Sequence, residues 1–199
     1  MKLLIKDDFF EDPAFLRNYA LSIDSYDVDD NFDLYMKGGW RGQRTKPLYY
    51  YENSILSKLD ERIFNLCYEF YDLKNYCYRY SDDKVENLMI TSHFHIIFEK
   101  NKKSYHYFGN DKFHVDYDCP VAGVIYLNPN IETQYGTVIV DGDKNQLFDV
   151  EGKYNRLVAY PGEVLHAPSD VFGKTKSDGR MTYTFFIHDK KHKDTFLTK

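Results

Sequence analysis

The sequence predicts an α+β domain whose core is mainly β, a sandwich or jelly roll supported by N-terminal helices. Three observations lead there. Aromatic residues make up 18% of the chain, with 19 Tyr and 15 Phe, and such side chains favour pleated, half-buried sheet surfaces. Between residues 55 and 70 apolar residues recur at helical spacing. From residue 85 onwards the hydrophobic period becomes two, in short runs separated by turn residues. The chain of 199 residues is long enough for one large domain, and a second full domain would be cramped. The expected organisation is a single domain over 1–199, with 1–84 as a helical preface and 85–190 as the β core.

The elements follow in order. "LLIKD" reads as a short strand. Asp12-Pro13 then supplies an N-cap and a first-turn proline for a helix running to about Ile23. Residues 24–50 are irregular and include "KGGWRGQRT". A second helix spans about Ser54 to Phe70, because Ile55, Leu59, Ile63, Leu66 and Phe70 repeat on one face. The strands expected after that are "NLMITSHFHIIFE", "KSYHYF", "PVAGVIYLN", "YGTVIVDG", "NRLVAYPGEVLHA" and "RMTYTFFIH", each bounded by Gly, Asn, Asp or Pro. Several short strands after a helical preface predict a β-sandwich or jelly roll.

Composition narrows the function. A net charge of −5 with a pI near 5.8 gives no broad basic field, which disfavours a nucleic-acid partner. Cys67, Cys77 and Cys119 form no CxxC spacing and are odd in number, as expected of reduced thiols in the cytoplasm. "MKLLIKDDFFEDP" turns acidic at Asp7, unlike a signal peptide, and no apolar run is long enough to span a bilayer.

"KFHVDYDCP" carries the first candidate chemistry. His114 and Asp116 are strong metal-ligand types at i and i+2, and on extended backbone they point the same way. Such a pair arises by chance in many chains, and a polar turn explains it as well. "YPGEVLHAP" offers a third ligand in His166. Two imidazoles and one carboxylate on one face of a metal leave adjacent positions open, an arrangement suited to non-haem Fe(II). In "GRMTYTFFI", Arg180 lies on the same strand face as Thr182. A guanidinium deep in an apolar sheet matches a carboxylate bidentately; the alternative is a strand-start arginine paired with a surface Asp.

Taken together, "HVD", "VIYLN", "GT", "LVAYPGEVLHAP", "GR-x-T" and "FF" resemble the Fe(II)- and 2-oxoglutarate-dependent oxygenases, in particular their prolyl-hydroxylase-like branch. The resemblance covers roughly residues 85–188. It implies a double-stranded β-helix carrying an iron triad of His114, Asp116 and His166. It also implies that Arg180 anchors the far carboxylate of 2-oxoglutarate, with Tyr126 and Thr182 as hydroxyl partners, and that O2 is the oxidant. The implied activity is that of a dioxygenase, most simply a hydroxylase, which couples decarboxylation of 2-oxoglutarate to succinate with substrate oxidation. Retention of Asp116 separates the chain from the halogenating branch. The segment "SDVFGKTKSDG" between His166 and Arg180 is expected to be a hairpin loop. A peptide, an amino acid or another small molecule is the expected substrate, and the oligomeric state is open.

A competitor exists within the same fold. His93, His95 and Glu99 follow an HxHxxxE spacing that resembles the first metal motif of cupins, which would use His166 as well and would not need 2-oxoglutarate. That reading leaves the HxD pair and Arg180 without roles; a degenerate, non-catalytic binding module leaves even more unexplained. The plainer expectation for His93 and His95 is the polar face of a strand. His188 and His192 are expected in solvent, Cys119 as a small buried group, and "GGWRGQRT" as a lid or an exposed turn. The His106 segment is expected to line the pocket or pack in a sheet.

Overall fold

Asp12 and Asn53 act as the helix starters their chemistry predicts. The computed structural model describes residues 1–24, 26–28, 42–76, 87–103, 113–116 and 118–192. After a short strand β1 (Leu4–Lys6), helix α1 runs over Pro13–Ser22. The Asp12 carboxylate accepts a hydrogen bond from the Phe15 N–H at 2.9 Å, and Pro13 sits where no N–H is needed. Helix α2 spans Ser54–Phe70, opened by Asn53 Oδ1, which accepts from the N–H groups of Ile55 and Leu56 at 3.0 and 3.3 Å. Its buried stripe is Leu56, Leu59, Ile63 and Cys67, while Ile55 is exposed. The expected stripe is thus rotated by part of a turn. The Asn53 cap puts Ile55 in the first turn of the helix, where it is exposed.

The rest is mainly β, in antiparallel sheets. In chain order the strands are β2 (Asp27–Val28), β3 (Gln43–Arg44), β4 (Leu88–Ile97), β5 (Val121–Tyr126), β6 (Thr137–Val140), β7 (Gln146–Val150), β8 (Leu157–Pro161), β9 (Leu165–Pro168) and β10 (Arg180–Asp189). The larger sheet has the order β1-β8-β5-β10-β4-β3-β2, and the smaller one β7-β6-β9. Strands β4 and β10 pair along their full length, from Arg180 opposite Ile97 to Asp189 opposite Leu88.

Alternation along these strands sorts the side chains into two cores. On the outer face of the large sheet, Phe94, Ile96, Ile125, Leu157, Met181, Tyr183, Phe185 and Ile187 pack under the helices against Leu16, Leu56, Leu59 and Ile63. On the inner face, Ala122, Val124, Tyr126, Val158, Tyr160 and Phe186 meet Ile139 and Val150 of the small sheet. Strands β5 and β10 are buried along their whole length because each lies between these two cores.

Three sequence expectations are corrected. "NRLVAYPGEVLHA" is two strands, since Gly162 and Glu163 turn the chain and send β8 to the large sheet and β9 to the small one. The segment after β9 is not a hairpin loop, because β9 and β10 belong to different sheets and it crosses between them. Strand β7 has no counterpart among the expected strands; four of its five residues are exposed, so it shows no apolar alternation. Cys67 and Cys119 are free and buried. "KSYHYF" with His106, Cys77, Trp40 and the glycine pair beside it lie outside the described residues. No helix among the described residues is long and apolar enough to cross a membrane.

Candidate active site

The site is assembled at the edge of the small sheet. His114 forms an isolated antiparallel bridge with His166 of β9: the His114 N–H donates to the His166 carbonyl at 3.1 Å, and the His166 N–H returns a bond to His114 at 3.0 Å. Two residues on, the Asp116 N–H donates to the Gly162 carbonyl at 2.8 Å. These bonds hold the HxD segment in extended form, so both side chains fall on one side. Their consequence is convergence. One ligand atom from each of His114, Asp116 and His166 lies within 4.8 Å of the others. His166 Nε2 is 3.3 Å from Asp116 Oδ2, and His114 Nε2 is 3.9 Å from Asp116 Oδ1. Asp116 and His166 are buried, whereas the His114 side chain is 46% exposed and so stands at the mouth.

Neighbouring groups orient the three side chains. His166 Nδ1 is 2.9 Å from the Val164 carbonyl, which can only accept; Nδ1 therefore carries a hydrogen, and Nε2 is the nitrogen that faces Asp116. The Tyr160 ring packs against the same imidazole, with centroids 4.4 Å apart. Burial opposes ionisation of Asp116, but His166, by charge and hydrogen bond, then His114 and Arg44 hold its carboxyl below the ordinary value. A buried carboxylate between two imidazoles fits a divalent cation, and the donor set fits Fe(II).

Arg180 opens β10 on the inner face and is 3% exposed. Its Nε and Nη2 donate to the carbonyls of Tyr135 and Gly136 at 3.1 and 2.9 Å, and its guanidinium lies 5.4 Å from the centre of the Tyr126 ring. No carboxylate forms an ion pair with it among the described residues. Tyr126 and Thr182 face each other in the β5–β10 register, on the same inner face. The Tyr126 hydroxyl shares a hydrogen bond of 2.7 Å with Thr137, and that of Thr182 one of 3.0 Å with Thr184. Lys176, another cation near Arg180 in sequence, is bonded to the carbonyls of Leu21 and Ile23 at the end of α1.

The histidines of β4 depart from expectation. His93 and His95 are 1% and 7% exposed, on the inner face of the large sheet rather than on a solvated one. Alternation identified a shared face, but not that this face is the inside. His188 is also buried: its Nδ1–H donates to the Asp189 carbonyl, and its Nε2 accepts from Thr91. The cupin set is not brought together, since Glu99 is exposed in the turn after β4 and His166 joins the HxD pair. Sequence reading missed Tyr160, Val164 and Gly162, which support the ligands through a ring face, a carbonyl and a missing side chain. None of these has a chemical signature; the only cue was their place in the same "YPGEVLH" run as His166.

No protein-family model matches the sequence, and no curated protein matches it either. Solved structures do. A prolyl-4-hydroxylase from Pseudomonas putida superposes with a TM-score of 0.58 at 15% identity, over 94% of this chain and 92% of that one. A prolyl hydroxylase from Trichoplax adhaerens, solved with a hypoxia inducible factor peptide fragment, gives 0.49 at 12% identity, over 97% and 86%. What is shared at such identity is the architecture, and the chain has the fold of a prolyl-hydroxylase-like oxygenase.

Proposed function

We propose that this chain is a non-haem Fe(II)- and 2-oxoglutarate-dependent oxygenase, most simply a hydroxylase. The observation that carries the reading is the convergence of His114, Asp116 and His166 within 4.8 Å. His166 and His114 would hold the iron through ring nitrogens and Asp116 through its carboxylate. Arg180 would receive the far carboxylate of 2-oxoglutarate as a buried cation, with Tyr126 and Thr182 beside it. When bound, Fe(II) with 2-oxoglutarate and O2 supplies oxidative decarboxylation to succinate and carbon dioxide, coupled to substrate oxidation. The chain's own work is orientation. The Val164 carbonyl sets the His166 tautomer, the inner aromatic wall excludes water, and Arg180 fixes one end of the co-substrate.

The double-stranded β-helix and the single domain, with a preface over 1–84 and a core over 85–190, belong to the same proposal. So does cytoplasmic placement, which rests on the odd, unpatterned cysteines. The substrate is a peptide, an amino acid or another small molecule rather than a nucleic acid, in keeping with the acidic chain. Anaerobic titration with Fe(II) and then 2-oxoglutarate, followed by a succinate assay, tests the reading. Wild type should bind both, and Asp116→Ala should lose iron while keeping its melting transition. A wild type that binds no iron, or an Asp116→Ala variant that binds it equally well, would sink the proposal.

A further inference from the structure

The inner wall of the large sheet carries polar groups beyond those assigned to iron and 2-oxoglutarate. Read across the strands, Arg44 of β3 faces His95 of β4, His95 faces Thr182 of β10, and Thr182 faces Tyr126 of β5. Directly opposed residues share a face, so this row lies on the inside with the triad. His93 and Thr184 form the next row, and Arg180 opposite Ile97 forms the row on the other side. Arg180 and Thr184 are thus four residues apart on β10, about 13 Å at the rise of an extended strand. The His93 row lies two rows along the wall from Arg180.

His93 is 1% exposed, and its ring stands edge-on to Phe186 with centroids 6.3 Å apart. Its Nδ1 is 2.9 Å from the Thr45 carbonyl, which can only accept, so Nδ1 bears the hydrogen and Nε2 is a bare lone pair. That Nε2 is buried and has no hydrogen-bond partner. Burial first, and then the charge of Arg44, keep the ring neutral well below the usual imidazole range. A buried acceptor of this kind calls for an N–H or O–H donor. A metal cation is a poor candidate, because Arg44 is close enough for its charge to act on the ring. Arg44 is itself 8% exposed and, opposite His95, stands one row along the inner wall from His93.

We propose that Arg44 and His93 form a substrate subsite on the β3–β4 side of the inner wall, for a carboxylate flanked by a hydrogen-bond donor, the head of a free 2-amino or 2-hydroxy acid. The carboxylate meets the guanidinium, and the adjacent ammonium or hydroxyl donates to His93 Nε2. The inference rests on the reading of the triad as the iron site, and it narrows that reading to a small acidic metabolite rather than an internal peptide residue, which has neither group free.

Full-length protein is titrated by calorimetry with each common L-amino acid, with the matching 2-hydroxy acids, and with N-acetyl amino-acid methylamides. Each series is run in buffer alone and anaerobically with saturating Mn(II) and 2-oxoglutarate. At least one free acid should bind and its capped counterpart should not; binding by either free class supports the subsite, and the two arms tell the donors apart. Arg44→Met and His93→Phe should each weaken that binding roughly tenfold or more, and His93→Gln, which restores an acceptor, should recover part of it. His93→Phe should still bind Mn(II) and 2-oxoglutarate as the wild type does. If no free acid binds the wild type, or capped forms bind equally well, the subsite is wrong and His93 Nε2 holds water only. Both of those outcomes are read on the wild type and need no variant to fold. Free-acid binding without any Mn(II) or 2-oxoglutarate binding would leave the subsite standing and remove the iron reading instead.

Discussion

Arg180 is the residue whose chemistry is least ambiguous. It is buried among Tyr126, Tyr135 and Gly136, and its two described hydrogen bonds go to neutral carbonyls, which leave its full charge unbalanced by any carboxylate among the described residues. If 2-oxoglutarate supplies the missing anion, Arg180→Ala leaves that carboxylate unpaired in the interior. The loss is roughly 3–5 kcal/mol by analogy with broken buried pairs, or about two to three orders of magnitude in affinity. Arg180→Lys should recover only part, because an ammonium cannot reproduce the fork. Iron binding should persist in both, measured by anaerobic titration of each ligand separately; equal 2-oxoglutarate affinity in Arg180→Ala and wild type would dismiss the anchor. Residues of this kind were legible in the sequence. His114, Asp116, His166 and Arg180 are chemically loud; His166 and Arg180 stand at the starts of β9 and β10, and the HxD pair sits in a short extended segment just before β5. The inward face of His93, His95 and His188 was not legible, since a period of two says which residues share a face and not which face meets the second sheet.

Elements position the ligands through contacts that the sequence hardly advertises. The turn between β8 and β9 runs so close to the HxD segment that a Cβ on Gly162 would lie 2.1 Å from the Cys119 carbonyl oxygen and 2.9 Å from that of Asp116. The same glycine's carbonyl accepts the Asp116 N–H. Gly162→Ala should therefore push backbone against backbone, costing about 1–3 kcal/mol and displacing Asp116 from His166. Iron titration and thermal melting should both register it. A folded Gly162→Ala variant with wild-type iron affinity would mean that the close approach does not set the ligand geometry. Local pattern found both helices and most strands because caps and alternation are local. It missed β7, an edge strand whose exposed residues pair with β6 and show no apolar alternation, and it merged β8 with β9. Which sheet a strand joins depends on contacts far away in sequence, such as β8 with β5 and β9 with β6.

For the molecule as a whole, stability should carry a pH signature from the seam between the helices and the large sheet. Asp60 of α2 accepts hydrogen bonds from the Tyr183 hydroxyl at 2.6 Å and from the Ser92 hydroxyl at 2.8 Å, so one carboxyl joins α2 to both long strands, β10 and β4. Burial raises it from 3.8 to about 6, and the two hydroxyl bonds only partly offset that rise. The folded state therefore holds a proton that the unfolded state has released between about pH 4 and about pH 6. Stability from this group is greatest at the acid end of that window and is lost as pH rises through it. Asp7 behaves in the opposite sense: Arg156 and then Lys153 hold its carboxyl low, so its contribution is present above the ordinary carboxyl range and falls away only in stronger acid. The two windows barely overlap. Asp60→Asn cannot titrate, and its amide can still accept from Tyr183, so the variant should gain on wild type as pH rises from about 4 to about 7. The gain should reach ~1–3 kcal/mol, taken from 1.36 kcal/mol per pH unit and discounted because the site is only part-buried. Urea unfolding of both proteins at several pH values measures it. Parallel pH curves for Asp60→Asn and wild type would mean that solvent reaches the carboxyl and that the seam is looser than its hydrogen bonds imply.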